Sequence, residues 1–203
     1  MIVVVKKVEP KVLVEHRQSP GADFIGLPKE EVKKQLVDEQ KGLCAYCMRR
    51  IEHDQTTKIE HFLSQKNHKS LALNYRNMFA VCNKEVHVCE NAKGSKEFKK
   101  LNLLSQDIIC HIKYHRNGEI YSDDVDLNND INHILRLNES LYLKCGRETA
   151  YKELVKKIMK ESGNAKCKRS ILVKYKNKLL STKNGKCIEY LGVYLYFVEK
   201  KSK

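Results

Sequence analysis

Two cysteine pairs are the feature that most constrains the fold of this 203-residue chain. Two residues separate Cys44 from Cys47, and Cys82 and Cys89 follow further along the chain. Four thiolates are enough for a closed tetrahedral zinc site, and a two-residue gap lets one turn aim both sulfur atoms at one metal ion. We therefore predict a structural zinc clip that joins the segments on either side of residues 48–81. Metal binding at such a clip contributes directly to folding.

The spacing alone leaves alternatives to a four-cysteine zinc site. His87 is an alternative fourth ligand, a Cys-x-x-Cys pair also serves redox sites, and unbound buried thiols are the plainest alternative. Because no secretion signal is recognisable, we do not expect a disulfide framework. We expect the remaining, scattered cysteines to be small buried apolar side chains. They are Cys110, Cys145, Cys167 and Cys187.

The charge of the chain is strongly positive and unevenly distributed. The formal net charge is +14, with 12 basic and 6 acidic residues between positions 41 and 100 and 17 and 5 between positions 141 and 203. Such a balance favours a polyanionic partner such as nucleic acid, although a lysine-rich soluble surface is the simpler alternative. No apolar stretch approaches the ~20 residues of a membrane helix. We therefore expect a soluble, cytoplasmic protein with no membrane partner.

Hydrophobic patterning predicts an α+β fold built from three consecutive segments that form one compact unit. Residues 1–42 should contain a strand at residues 2–5, a weaker strand pattern at residues 12–14 and a support helix that starts at Pro28 and stops at Gly42. Residues 43–105 should form the clipped core. Residues 106–203 should begin with a hairpin at Asn117-Gly118 and then be mostly helical.

Periodicity and stop signals predict three helices in the third segment. The first runs from about residue 139 to 161, with Asn138 as its N-cap and Ser162-Gly163 as its end. The second covers residues 169–180. The last apolar stretch, residues 188–198, fits both a helical and a strand period, and we favour a helix.

A carboxylate–histidine step, Glu60-His61, lies between the two cysteine pairs. In isolation such a pair usually consists of exposed residues without a functional role, but the cysteine pairs on either side of it suggest a hydrolytic metal site. A neutral imidazole is available as a proton acceptor at cellular pH because the ordinary pKa of histidine is about 6.5. Neighbours on a strand point to opposite faces, so both side chains reach one site only at a bulge or a strand end.

Four motifs around this step resemble the HNH, or ββα-metal, nuclease family. They are CAYCMRRI, IEHF, LNYRNMFAVCN and CENAKGSK. The chain looks closest to the HNH proteins of Septu-type and retron-linked phage defence, and the resemblance is dense over residues 38–100. It implies a zinc-clipped ββα-metal nuclease core and a metal-dependent endonuclease that acts on DNA or structured RNA. It also implies an anti-phage role with an ATPase partner protein.

The resemblance implies a role for each matching residue. His61 corresponds to the general base that deprotonates the attacking water, Glu60 to an acidic ligand of a divalent cation, and Asn77 to the asparagine that orients the loop and ring of His61. The last histidine of the family pattern is Glu90 in this chain, and a carboxylate is a suitable hard ligand for Mg²⁺ or Mn²⁺. Asn91 is the alternative third residue of the metal site.

We expect lysines after the last cysteine to bind the substrate. A helix from residue 91 to about residue 101 would place Lys93, Lys96 and Lys100 near one face, where they could follow a phosphate backbone, and a solvated face is the alternative. A basic C-terminal cluster could extend this surface. Its members are Lys166, Lys168, Arg169, Lys174, Lys176 and Lys178. The change at Glu90 leaves a second function open, a zinc-stabilised nucleic-acid-binding or regulatory module with a decayed HNH site.

Overall fold

A computed structural model of the protein describes residues 1–85, 87–163 and 169–202. Within these ranges the chain folds into eight α-helices and two small antiparallel sheets, so the predicted α+β class is confirmed. None of the described helices combines the length and apolar character needed to cross a membrane.

The N-terminal segment starts as extended chain and not as a strand. Val4 donates its N–H to the carbonyl oxygen of Leu103 at 2.9 Å, but residues 2–5 join no sheet, so the predicted strand is wrong. The second β-branched run lies in helix α1 (Lys11–Gln18). Burial of Leu13 on the inner side of this helix outweighs the weak strand preference of its valine neighbours.

Helix α2 (Lys29–Glu39) is the predicted support helix. It begins directly after Pro28 and buries an apolar stripe that consists of Val32, Leu36 and Val37. Gly42 follows with φ +69°, a left-handed conformation that glycine adopts at low cost. Because α2 packs on the first sheet, it delivers the chain to Cys44 at a fixed position.

The first sheet consists of strands β1 (Thr57–His61) and β2 (Met78–Cys82). The antiparallel register is regular from the pair Thr57–Cys82 to the pair His61–Met78. A four-residue helix, α3 (Glu90–Lys93), begins directly after Cys89. The predicted helix over residues 91–101 therefore does not form beyond residue 93, because Gly94 leaves the helix with φ +53°.

The chain after α3 is held by a buried carboxylate from later in the sequence. Asp130 accepts the backbone N–H groups of Lys99, Lys100 and Leu101 at 3.0, 2.7 and 2.8 Å. It begins a π-helical turn (Asp130–Ile134) that continues helix α5 (Val125–Asn129). Three bonds from one buried carboxylate fix the backbone of residues 99–101, although Lys99 and Lys100 are themselves exposed.

The second sheet is the predicted hairpin at Asn117-Gly118, formed by β3 (Lys113–Tyr114) and β4 (Ile120–Tyr121). Its strands are only two residues long, because helix α4 (Gln106–Ile109) takes up residues before β3. Gly118 has φ +85°, and a Cβ atom there would lie 2.0 Å from a backbone carbonyl oxygen of the next long helix. The hairpin turn is therefore packed directly against that helix.

The C-terminal part is helical as predicted, with α6 (Leu141–Ser162), α7 (Arg169–Leu180) and α8 (Leu191–Ser202). The N-cap of α6 is Ser140, whose hydroxyl accepts the N–H of Leu143 at 3.1 Å. The predicted cap, Asn138, instead bonds to both backbone groups of Ile120 in β4. Its side chain serves the hairpin and not the helix.

One hydrophobic core includes residues from all three segments, from Leu13 in α1 through Phe79 in β2 to Leu154 in α6. The scattered cysteines contribute less to this core than expected. Cys187 is buried, but Cys110 and Cys145 are exposed, so the prediction of burial is wrong for these two. Position 167 lies outside the described residues.

Candidate active site and metal centre

Four cysteines, Cys44, Cys47, Cys82 and Cys89, form a buried cluster. Their Sγ atoms all lie within 4.8 Å of one another, with 3.5 Å between Cys47 and Cys82 and 4.0 Å between Cys82 and Cys89. Sulfur ligands about 2.3 Å from a tetrahedral zinc ion lie about 3.8 Å apart. The cluster could therefore hold a metal ion such as zinc. His87, the alternative fourth ligand, is exposed and does not belong to it.

A tight turn positions the first cysteine pair against the end of β2. Met48 donates its N–H to the carbonyl oxygen of Cys44 at 3.0 Å, and Cys44 donates to Arg49 at 2.9 Å. Met48 has φ +64°, so the chain reverses within this turn. The backbone N–H of Cys82 points at the Cys44 sulfur atom at 3.4 Å, a bond that stabilises the thiolate form.

The electrostatics of the cluster favour one thiolate and oppose the next. Burial opposes ionisation of Cys44, but hydrogen bonds from the other three cysteines hold its pKa well below the usual value. Burial and the neighbouring sulfur atoms raise the pKa of Cys47 well above the usual value. Hydrogen bonds to the other sulfur atoms and burial do the same for the pKa of Cys89. A divalent cation relieves such opposition by compensating the negative charge.

The closing segment, residues 187–190, covers the first cysteine pair. Tyr190 donates its N–H to the carbonyl oxygen of Met48 at 2.9 Å, and Cys187 donates to Lys41 at 3.0 Å. The backbone N–H of Arg50 donates to the carboxylate of Glu189, 139 positions later in the sequence, at 2.6 Å. The C-terminal region thus helps to enclose the cysteine cluster.

Glu60 places a buried carboxylate on the face of β1 that α3 covers. Its Oε1 atom accepts from Lys93 Nζ at 2.8 Å and from the Tyr46 hydroxyl at 3.4 Å, and the residue is 7% exposed. Burial raises the pKa of Glu60 to about 6 although Lys93 opposes the rise, and the negative charge of Glu90 adds to it. The two glutamates therefore lie within electrostatic reach of each other.

Lys93 is a structural cation and not an exposed phosphate contact. It is 1% exposed, and in addition to the Glu60 pair its Nζ donates to the carbonyl oxygens of His61 at 3.0 Å and Gly94 at 3.4 Å. Lysine is almost never fully buried unless it is paired. Its expected role in holding substrate is corrected accordingly, because the ammonium group joins α3 to β1 inside the protein.

Lys96 and Lys100 do not share a helical face with Lys93, because the helix ends at residue 93. Lys96 donates to the carbonyl oxygen of Ala92 at 3.1 Å, and Lys100 pairs with Asp124 at 3.7 Å. The predicted continuous lysine surface after the last cysteine is therefore not formed. In the basic C-terminal cluster that was expected to extend this surface, Lys176 pairs with a glutamate of α8 at 2.8 Å. Positions 166 and 168 of that cluster lie outside the described residues.

His61 is the last residue of β1, and its ring is fixed on two sides. Its Nε2 atom lies 2.9 Å from the carbonyl oxygen of Ala72, and the ring of Phe24 meets it edge-on at a centroid distance of 4.5 Å. A carbonyl oxygen only accepts, so Nε2 carries the proton of the neutral ring and Nδ1 keeps the free lone pair. Burial lowers the pKa of His61, the charge of Lys93 lowers it further, and the Ala72 bond acts in the opposite direction.

Asn77 connects the two ends of the loop that follows His61. Its Oδ1 accepts the N–H of Leu63 at 2.8 Å, and its Nδ2 donates to the carbonyl oxygens of Leu63 at 2.9 Å and Leu71 at 3.3 Å. Leu63 lies two residues after His61, and Leu71 precedes the residue whose carbonyl oxygen contacts the ring. Asn77 therefore holds the backbone on both sides of the His61 contact.

Of the two candidates for the third metal-site residue, Glu90 lies nearer to Glu60. Its carboxylate pairs at 3.3 Å with Lys58, which shares a face of β1 with Glu60 because the two are two residues apart. The Asn91 side chain donates to Asn83 at 3.1 Å. Asn83 follows the C-terminal end of β2, whereas His61 pairs with the first residue of β2, at the other end of the sheet. The carboxylate pair Glu60 and Glu90 is thus the compatible donor set on this face.

Three contacts at the site were not predicted, namely those of Phe24, Tyr46 and Ala72. Tyr46 could have been noticed as the aromatic residue between Cys44 and Cys47, but Phe24 lies far from the motif in the sequence and the backbone carbonyl of Ala72 has no sequence signal. No model of a known protein family matches the chain, and no curated protein matches it. Its function must therefore be inferred from its own residues and their geometry.

Proposed function

We propose that the protein is a metal-dependent HNH endonuclease that hydrolyses phosphodiester bonds of nucleic acid. The observation that carries the proposal is that one strand–strand–helix unit bears a buried His61 at the end of β1, Glu60 beside it on β1 and Glu90 at the start of α3. The four cysteines frame this unit and would hold a structural zinc ion. The support from the sequence is the resemblance of the same stretch to HNH nucleases.

His61 acts as the general base in this proposal. The bond from Nε2 to the Ala72 carbonyl oxygen sets the tautomer, so Nδ1 takes the proton from the attacking water. Burial keeps the imidazole neutral by lowering its pKa. Asn77 keeps the surrounding backbone in place, so the ring does not have to be reoriented when the substrate binds.

Glu60 and Glu90 would hold a catalytic Mg²⁺ or Mn²⁺ ion, because carboxylate oxygens are the preferred ligands of these cations. When bound, such a cation supplies Lewis-acid polarisation of the scissile phosphate and stabilises the departing oxygen. The donor set fits, since the raised pKa of Glu60 reflects a buried negative charge that Lys93 compensates only in part.

We also propose that the nuclease is the effector of an anti-phage defence system with an ATPase partner. The support is the resemblance of the motifs to those of Septu-type and retron-linked HNH proteins. Cleavage should therefore be measured with the protein alone and together with the ATPase encoded beside it.

The test compares wild type, His61→Ala and His133→Ala on plasmid, single-stranded DNA and total RNA, with Mg²⁺, with Mn²⁺ and with chelator. His133 is an exposed histidine outside the site, so its variant should cut like wild type. Loss of the general base should slow cleavage by about 10²–10⁴-fold. Equal cutting by wild type and His61→Ala would remove His61 as the base, and no cutting even with the partner would refute the nuclease proposal.

A second candidate is a zinc-stabilised nucleic-acid-binding or regulatory module whose hydrolytic site has decayed. The Lys93–Glu60 ion pair favours it, because an internal ammonium group already occupies one oxygen of the first carboxylate. This candidate predicts that wild type and His61→Ala bind nucleic acid equally and that neither cuts in any metal. Metal-dependent cutting by wild type alone would exclude it.

A further inference from the structure

A groove runs along the outer side of the loop that joins β1 to β2. It consists of two adjoining cavities, of about 650 and 420 Å³, that share Arg17, Ser70 and Leu73 in their walls. Helix α1 and residues 22–25 form one side of the larger cavity, and residues 65–73 form the other. The groove is therefore built by the N-terminal segment and the inter-strand loop together.

The groove carries an excess of positive charge. Five exposed basic side chains line it, namely Lys7, Arg17, Lys66, Lys69 and Arg76.

Both acidic side chains in its walls are engaged. Glu9 pairs with Arg17 at 2.7 Å, and the Asp23 carboxylate accepts the N–H of Gly26 at 2.8 Å. The four other basic side chains, those of Lys7, Lys66, Lys69 and Arg76, have no carboxylate within ion-pair distance among the residues that the structure describes. Four cations are thus free to bind an anionic ligand.

The groove reaches the candidate site through two residues of its wall. Phe24 and Ala72 line the larger cavity, and both contact the ring of His61. On its other side the same loop is fixed to the chain beyond α3, because Asn67 and His68 both bond to the carboxylate of Glu97, at 2.9 and 2.8 Å. The loop therefore lies between the groove and α3, and His61 lies at its base.

We propose that this groove binds the phosphate backbone of the nucleic-acid strand that the protein cuts, with Lys7, Lys66, Lys69 and Arg76 as the phosphate contacts. The inference rests on the proposed function and assigns its substrate-binding surface. Exposed ammonium and guanidinium groups bind phosphates without regard to base sequence. Four such contacts on a duplex give a slope near −3.6 for the logarithm of the binding constant against that of the salt concentration.

The test measures binding by the His61→Ala protein, so that the ligand stays intact, with labelled duplex DNA, single-stranded DNA and an RNA hairpin. The groove variant is Lys66→Gln/Lys69→Gln/Arg76→Gln. The matched control, Lys34→Gln/Lys156→Gln/Lys160→Gln, removes the same charge from exposed lysines elsewhere. Equal urea midpoints for the two variants would establish that both are folded.

The groove variant should bind at least about 10-fold more weakly near 0.1 M salt, and its salt slope should fall by about 2.7, which is three phosphate contacts. The control should keep the slope. Whichever of the three nucleic acids shows this difference is the substrate class that the groove accepts. Equal binding by the two variants, or no binding of any nucleic acid, overturns the assignment.

Cleavage should also be measured for the two triple variants with His61 restored. This measurement distinguishes failure of the groove assignment from failure of the nuclease proposal. The groove variant should raise KM and leave kcat unchanged, because it loses uniform binding. If wild type cuts and both variants cut alike, the groove is refuted and the nuclease stands. If nothing cuts but binding still depends on the groove, the nuclease proposal fails and the groove stands as a nucleic-acid-binding surface only.

Discussion

Replacement of Lys93 by methionine should destabilise the fold by about 3–5 kcal/mol. Its ion pair with Glu60 spans 2.8 Å, and the two side chains are only 1% and 9% exposed. Removal of one partner of such a pair leaves the other charge buried without compensation. The variant also loses the bond to the His61 carbonyl oxygen, worth about 1 kcal/mol, whereas methionine keeps most of the packing volume.

The loss should depend on pH in a defined direction. With Lys93 present, burial raises the pKa of Glu60 from 4.5 to about 6. Because the folded value is the higher one, the protonated carboxyl stabilises the fold fully below the unfolded pKa, and this contribution disappears as the pH rises through the folded pKa. Without Lys93 the pKa of Glu60 rises further. The penalty of Lys93→Met therefore grows as the pH rises above the wild-type pKa of Glu60 and shrinks as the solution is acidified.

The free energy of unfolding in urea should be measured at about pH 7.5 and about pH 5, on either side of the Glu60 titration. Lys58→Met is the matched control, since its pair with Glu90 is 43% and 26% exposed and is worth at most about 1 kcal/mol. The double variant Lys93→Met/Glu60→Gln should recover at least half of the loss, because no buried charge remains. A loss no larger than that of Lys58→Met, or no recovery in the double variant, would refute this account.

Three further changes test other parts of the structure. Cys47→Ser should lower the bound zinc from about one ion per chain and reduce the melting temperature, whereas Cys110→Ser, outside the cluster, should do neither. Elemental analysis that finds no zinc in the folded wild-type protein would contradict the clip. Asn77→Ala should cost about 2–3 kcal/mol in urea unfolding because three hydrogen bonds are lost, and a cost below 1 kcal/mol would show that the loop is held otherwise. Gly118→Ala should lower the free energy of unfolding by more than about 3 kcal/mol, because its Cβ would lie 2.0 Å from a carbonyl oxygen. Gly21→Ala, where φ is +69° and the space is open, should lower it by only about 1 kcal/mol. Similar losses in the two variants would argue against the close contact at Gly118.

Elements with local signals were predictable from the sequence. Pro28 and Gly42 enclose α2, Asn117-Gly118 marks the hairpin, and helical periodicity identifies the three C-terminal helices. The cysteine cluster belongs with them, because metal-ligand spacing is itself a local pattern and a shared metal ion requires the two pairs to meet. In each case the residues that carry the signal also make the contacts that form the element.

The parts that were not predictable depend on contacts between distant residues. Lys93 looks like any surface lysine in the sequence, and only the folding of Glu60, thirty-three positions earlier, creates its buried partner. The valine run at residues 2–5 has strand propensity, but no strand within residues 1–85, 87–163 and 169–202 pairs with it. The basic groove is likewise assembled from separate segments, and the N-terminal forty residues have no net charge that would indicate it.

Enclosure of the cysteine cluster by residues 187–190 has a consequence for the order of events during biosynthesis. All four thiols have been synthesised once Cys89 is made, but the closing segment follows roughly a hundred residues later, which is roughly 5–20 s at the usual rate of translation. In that interval all four thiols exist, but the segment that covers the first cysteine pair does not. A metal ion would therefore enter most easily while the chain is still being made. In the finished protein its exchange would be limited by the opening of the closing segment, so isotopic zinc exchange should proceed at the rate of amide hydrogen exchange at Tyr190.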